Sequence, residues 1–247
     1  MKNIKINSFT LFFLCIAFFS GYIKIALWIL FIVLVHESGH IFFAKVLGYQ
    51  FISVTIYPFG GVTRINKDIN APFWHEFLLA IGGVLFQSFI FLLLFFPFRS
   101  VTKDIIFTYN SAILLFNLLP IIPLDGSLLF SSFLNKYFSY KTAYYIYVIV
   151  SFVAIVFYIG MNYWMSLNNY FIVSLFLMKT INAVKEYKYY YNRFLLERYL
   201  YNYPYKRIDT KKGDLDVLRK ETYQYFIEGK HIVSEKKKLA DRFDKKV

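Results

Sequence analysis

Residues 28–44 read Trp28-Ile29-Leu30-Phe31-Ile32-Val33-Leu34-Val35-His36-Glu37-Ser38-Gly39-His40-Ile41-Phe42-Phe43-Ala44. An apolar run of this kind is a helix, and His36 to His40 interrupt it with three ionisable groups. A charged side chain at the middle of a membrane helix costs about 2.5–3.5 kcal/mol even on the lenient insertion scale, so these residues need a compensating role. Residues four apart share one helix face, which lets both imidazoles meet one metal ion while Glu37 reaches its bound water. Zinc takes neutral nitrogen ligands and keeps an open position where water is acidified. A glutamate beside it takes the proton and hands it to a leaving amine. A polar cluster that only glues helices together would not require the H-E-x-x-H spacing.

The rest of the chain agrees with a membrane setting. It has 247 residues, of which 58% are hydrophobic and 17% charged, against roughly a quarter charged in soluble domains. Residues 1–184 hold five of the 15 acidic residues (Glu37, Asp68, Glu76, Asp104, Asp125), while 185–247 hold the other ten and 17 of the 28 Lys and Arg. That division predicts a membrane-embedded domain over 1–190 and a basic, water-facing tail over 191–247. The net charge of +13 is no sign of nucleic-acid binding, because basic residues beside spans set topology and meet anionic lipid. Cys15 is the only cysteine, so no disulfide framework exists.

A helix needs about 20 apolar residues to cross the hydrocarbon. The stretch Ser8 to Leu47 is about twice that length and divides at Gly21-Tyr22, near Lys24. Later spans are expected over 77–98, 104–122, 142–163 and 169–184. The fold expected is thus an all-α polytopic membrane protein with about six transmembrane helices, a small β-hairpin loop and a short cytoplasmic C-terminal tail. Placing the N-terminus inside leaves Lys2, Lys5, Lys45, Arg64, Lys67, Lys136, Lys141 and the tail in the cytoplasm. Lys24, Arg99 and Lys103 fall outside, and the 164–168 turn is uncharged, as the positive-inside rule requires. Tyr144-Tyr145 and Tyr187–Tyr191 read as interfacial belts. In the loop 48–75, Val54-Thr55-Ile56-Tyr57 and Val62-Thr63-Arg64-Ile65 flank Pro58-Phe59-Gly60-Gly61, two β-prone runs around a turn signal.

A tetrahedral catalytic site wants a third protein ligand, and Asp125 is the natural candidate. It ends the run Asn117-Leu118-Leu119-Pro120-Ile121-Ile122-Pro123-Leu124-Asp125-Gly126, whereas Asp68, Glu76 and Asp104 sit in loops or at span ends. In the expected topology the second and fourth helices run the same way, and both motifs fall in their later halves at similar depth. Pro120 and Pro123 break the helix before Asp125, and unwound backbone at that depth is tolerated where it lines a cavity. Such a break offers groups to a peptide, with Asn117 able to bind its backbone or a developing oxyanion. His75-Glu76 reads as an interfacial start of the third span, His231 as a solvated tail residue, and Ser38 as spacing within the motif.

H-E-x-x-H paired with a distant N-x-x-P-x-x-P-L-D-G resembles the site-2 protease family of intramembrane zinc metalloproteases. Within it, the chain is most similar to the branch of stage IV sporulation protein FB, over about residues 5–200. The resemblance implies one zinc on His36, His40 and Asp125, Glu37 as general base, and Asn117 as a substrate or transition-state contact. It also places Gln87 at the border of the site, as a substrate-binding residue. The break at Pro120 is read as offering backbone groups to the substrate, and the hairpin around Gly60-Gly61 as presenting it as an added strand. Gly82-Gly83 stands where the family has Gly-Pro. The resemblance also implies a pro-sigma factor as substrate, cleaved during sporulation in the mother-cell membrane around the forespore, and inhibitory membrane partner proteins. Relatives of this branch end in a CBS-like nucleotide-sensing domain. Here the tail is short and only Tyr223–Ser234 hints at such a fold, which argues against ATP binding. Intramembrane ionisable groups also mark ion paths, so the rival reading is a transporter or channel with a metal site.

Overall fold

The computed structural model describes residues 4–57, 60–161, 167–205, 207–229 and 231–244, so Pro58-Phe59 and most of the 164–168 turn lie outside the described residues. The chain divides into two compact units, one of residues 1–67 with 77–119 and the other of 68–76 with 120–247.

In the first unit, β1 (Ile4–Ile6) leads into α1 (Ser8–Phe19), and α2 (Ile23–Val46) carries the H-E-x-x-H motif. The break between α1 and α2 falls at Gly21, whose φ of +77° suits a residue without a side chain. The expected hairpin is present as β2 (Gln50–Tyr57) and β3 (Gly60–Asn66), with Ile56 opposite Gly61. It is larger than expected, because β1 pairs in parallel with β2 and makes a three-stranded sheet. An isolated hairpin is marginal in water, and the third strand together with α2 supports this one. Helix α3 (Phe73–Ser88) begins in the second unit, continues into the first and tightens into a 3-10 turn over Phe89–Phe95 before Pro97. Helix α4 (Ser100–Asn117) completes the unit. Its interior includes Ile32, Ile90 and Ile106, and α2 meets α3 backbone to backbone where Gly39 faces Gly82.

In the second unit, α5 (Asp125–Tyr137), α6 (Tyr140–Met161) and α7 (Leu167–Leu200) follow one another, and α7 runs unbroken through residue 190. The tail is folded rather than extended. β4 (Arg207–Lys212), β5 (Thr222–Glu228) and β6 (His231–Ser234) form a sheet in that order, and α8 (Glu235–Phe243) packs on it. Phe194, Leu195, Leu218, Phe226 and Leu239 are its buried core, with Tyr140 stacked on Phe194 at 4.3 Å between ring centres. Lys141 and the Tyr191 hydroxyl both donate to Asp216, and these bonds hold its carboxyl below the ordinary value of 3.8. A depressed carboxyl stabilises the fold above the ordinary carboxylate range, and that contribution is lost as pH falls through it.

The all-α expectation is therefore corrected to a mainly helical chain with two small sheets. Among the described residues three helices are long and apolar enough to cross a membrane: α2, α3 with its 3-10 extension, and α6. Helix α1 is apolar but short, and Lys103 and Asp104 dilute the apolar character of α4. Large apolar side chains face outward on these helices, Phe19 at 86%, Phe95 at 87% and Phe157 at 68% exposure. Surface of this kind belongs in lipid.

At the heart of the tail, Arg198 forks onto both Glu235 oxygens (2.5 and 2.8 Å) and donates to the carbonyls of Arg219 and Thr222, and the pair's side chains are 0% and 1% exposed. Removing one partner of a buried pair leaves a charge without compensation. Arg198→Ala is expected to lower the unfolding free energy of this segment by about 3–5 kcal/mol, read by denaturant titration of the purified protein in detergent.

Candidate metal centre

Among the described residues, the group of His, Cys, Asp and Glu side chains brought together is His36, Glu37 and His40, whose ligand atoms all lie within 4.8 Å of one another. The helix supplies this directly, since positions 36 and 40 stack one turn apart on α2. His36 and Glu37 are buried and His40 is half-buried. The two imidazole Nε2 atoms are 3.2 Å apart.

What the other ring nitrogens touch fixes the tautomers. His40 Nδ1 lies 2.7 Å from the Leu79 carbonyl oxygen, which only accepts, so the proton is on Nδ1. His36 Nδ1 lies 2.9 Å from Gln87 Oε1. The Gln87 amide nitrogen donates to the Asn110 carbonyl at 3.0 Å, which leaves Oε1 as the acceptor facing His36. In the neutral rings both Nε2 atoms therefore carry lone pairs turned toward each other. Two nitrogens bound at about 2.0–2.1 Å in a tetrahedral zinc site are about 3.3 Å apart, so the donor set fits zinc. A second group that orients each ligand ring is the usual companion of such a site.

Two glycines make the room. A Cβ on Gly83 would lie 2.5 Å from His40 Nε2 and 2.6 Å from His36 Nε2, in the space between the imidazoles. A Cβ on Gly61 would overlap the Glu37 side chain, so β3 passes directly against that carboxylate. Thr63, on the same strand, donates its hydroxyl to Glu37 Oε2 at 2.5 Å. Gly60 opens β3 with φ +152° at the hairpin turn.

The remaining expected residues lie as follows. Gln87, 0% exposed, has its amide turned to His36 and Asn110. Asn117 is the last residue of α4, in the first unit. Pro120 lies in the non-helical segment that follows, and Asp125 is the first residue of α5, both in the second unit. Thr63, Leu79 and Asn110 were not foreseen. The visible signal for the cradle was the pair Gly82-Gly83 inside an apolar helix.

Gly83→Ala is expected to abolish zinc retention while the helices persist, read by metal analysis and circular dichroism. Gln87→Leu, which removes the acceptor that orients His36, is expected to weaken zinc about 10–100-fold in a chelator titration.

The segment that carries this group of side chains matches known proteins. The profile of peptidase family M50 matches residues 24–104, which include the motif, the hairpin and α3. Stage IV sporulation protein FB of Bacillus subtilis is 30% identical over 208 residues, 80% of this chain and 71% of that protein. A zinc metalloprotease of Methanocaldococcus jannaschii, MJ0392, is 29% identical over 116 residues, 44% of this chain and 33% of its own length. The solved structure of the site-2 protease from Methanocaldococcus jannaschii shares the fold, with a TM-score of 0.54 and 20% identity over 75% of this chain and 93% of that one. The chain belongs to peptidase family M50, the site-2 protease family of membrane zinc metalloproteases, and is a metalloendopeptidase.

Proposed function

We propose that this protease hydrolyses a peptide bond in or near the membrane on its cytoplasmic side, with one zinc held by His36, His40 and Asp125. The observation that carries this reading is the pair of Nε2 atoms 3.2 Å apart beside the Glu37 carboxylate, with both Nδ1 atoms committed to acceptors. Zinc, when bound there, polarises the scissile carbonyl and acidifies water. Glu37 acts as general base: it takes a proton from the attacking water on a carboxylate oxygen and delivers it to the leaving amine nitrogen. Thr63, through its bond to Oε2, keeps that carboxylate from swinging away. Gln87 and the Leu79 carbonyl keep the two Nδ1 protons in place, so both imidazoles present Nε2 to the metal.

Asn117 serves as the contact to substrate backbone or developing oxyanion, and the broken segment at Pro120 offers backbone groups to the peptide. The edge strand β3, with Gly60 and Gly61 at its start, receives the substrate as an added strand, a mode that uses exposed main-chain groups. The apolar runs support six spans, and the distribution of Lys and Arg supports both termini in the cytoplasm. The membrane domain occupies 1–190 and 191–247 is a regulatory segment, for which ATP is not the expected ligand.

By similarity to stage IV sporulation protein FB, the substrate is a pro-sigma factor of the pro-sigma-K type, processed in the mother-cell membrane during sporulation. Membrane partner proteins restrain the protease until then. Co-expression of a tagged pro-sigma factor with wild type, Glu37→Gln and Asp125→Asn tests the reading. Wild type is expected to process the substrate, and Glu37→Gln to do so at least about 10²-fold more slowly. Asp125→Asn is expected to lose both processing and zinc. Equal processing by Glu37→Gln would remove the proteolytic assignment, and full zinc in Asp125→Asn would remove Asp125 from the ligand set.

A further inference from the structure

The first turn of α3 is held from far along the chain. Phe73, its first residue, donates its backbone N–H to Glu221 Oε1 at 2.7 Å, across 148 residues of sequence. The first N–H groups of a helix lack an acceptor within the helix, and negative charge is favoured there. Three residues on, Glu76 pairs with Lys220 at 2.8 Å, with side-chain exposures of 11% and 5%. Just upstream, Glu197 of α7 accepts from the backbone N–H groups of Ile69 and Asn70 at 2.8 and 3.2 Å. Residues 69–76 are thus gripped by α7 and by the turn that enters β5. That turn is itself unusual: Glu221 has φ +57°, a left-handed conformation that residues with side chains rarely adopt. Backbone conformations of this kind persist only where the surrounding structure enforces them, and they cluster at active sites, ligand clamps and switch regions.

The other end of α3 carries the groups that set the metal centre. Leu79, Gly83 and Gln87 follow one another at four-residue spacing and so share a face, and Glu76 lies on that face one turn earlier. An axial slide or rotation of α3 would carry the Leu79 carbonyl away from His40, the Gln87 amide away from His36 and the bare backbone at Gly83 out of the space between the rings.

We propose that Glu221, assisted by Lys220, is a positioning residue for the metal centre. It fixes the N-terminal turn of α3, and through that helix it fixes the groups that orient both imidazoles. The C-terminal segment is thereby a working part of the protease, and a force on residues 220–221 changes how the metal is held. The proposal rests on the reading that His36 and His40 hold zinc.

The test uses the full chain, purified in detergent, as wild type, Glu221→Gln and Glu221→Gly. Glutamine keeps an acceptor oxygen for Phe73. Glycine suits the positive φ better than glutamate does and removes only the cap. Zinc retention is measured against a competing chelator well below the melting temperature, and kcat and KM on a cleaved substrate. Glu221→Gly is expected to bind zinc about 10–100-fold more weakly and to lose kcat with KM near the wild-type value. Glu221→Gln is expected to stay within about threefold of wild type in both. A role limited to holding the fold would lower the melting temperature and leave zinc affinity unchanged. Equal zinc affinity in wild type and Glu221→Gly, or an equal loss in Glu221→Gln and Glu221→Gly, would overturn the proposal alone. A wild type that holds no zinc would overturn the metal reading and this proposal with it. Should Glu221→Gly fail to fold, Glu221→Asn, which tolerates the positive φ but is too short to reach Phe73, carries the same expectations.

Discussion

Two imidazoles whose Nε2 lone pairs point at one another repel unless a cation comes between them. His36 and His40 are held in that arrangement because their Nδ1 protons are spoken for, one by Gln87 and the other by the Leu79 carbonyl. Both restraints come from α3, and the space between the rings exists because residue 83 has no side chain. The spacing on α2 brings the two rings to one face, but α3 decides which nitrogen each ring presents. Much of the remaining structure reads as support for that pairing of helices. Gly39 and Gly82 let the backbones meet, and Asn110 on α4 locks the Gln87 amide in one orientation.

The same logic explains why a small sheet accompanies a set of apolar helices. Glu37 is buried, and an ionisable group in such a place needs a polar neighbour or a job. Strand β3 supplies the neighbour, with Thr63 bonded to the carboxylate and Gly61 allowing the strand to lie against it. The strand held this close to Glu37 is also, among the described residues, the last strand of its sheet.

The legible part of the sequence was whatever depends on short spacing. H-E-x-x-H states its own geometry, and the Gly60-Gly61 turn between β-prone runs announced the hairpin. Gly21 marked the division of the first long apolar stretch. Features that depend on contacts distant in sequence were hidden. Nothing in Ile4–Ile6 says that it will pair with β2, and Thr63 looks like any strand threonine until it meets Glu37, 26 residues earlier. Gln87 was legible as a polar residue at the border of the site. Its role was not, because only the Asn110 carbonyl reveals which way its amide points. The packing of the tail was hidden for the same reason. Its charge marked it as water-facing and Tyr223–Ser234 hinted at a fold, but charge counting cannot anticipate a core of Phe194, Phe226 and Leu239 with a buried Arg198–Glu235 pair.

The central claim is that two neutral imidazoles on one helix bind a single zinc ion. X-ray absorption at the zinc edge of the purified wild-type protein tests it most directly. The account predicts about one zinc per chain, surrounded by nitrogen and oxygen at about 2.0–2.1 Å, with the outer-shell scattering of two imidazoles. A protein that retains no zinc, or a spectrum without imidazole scattering, would contradict it.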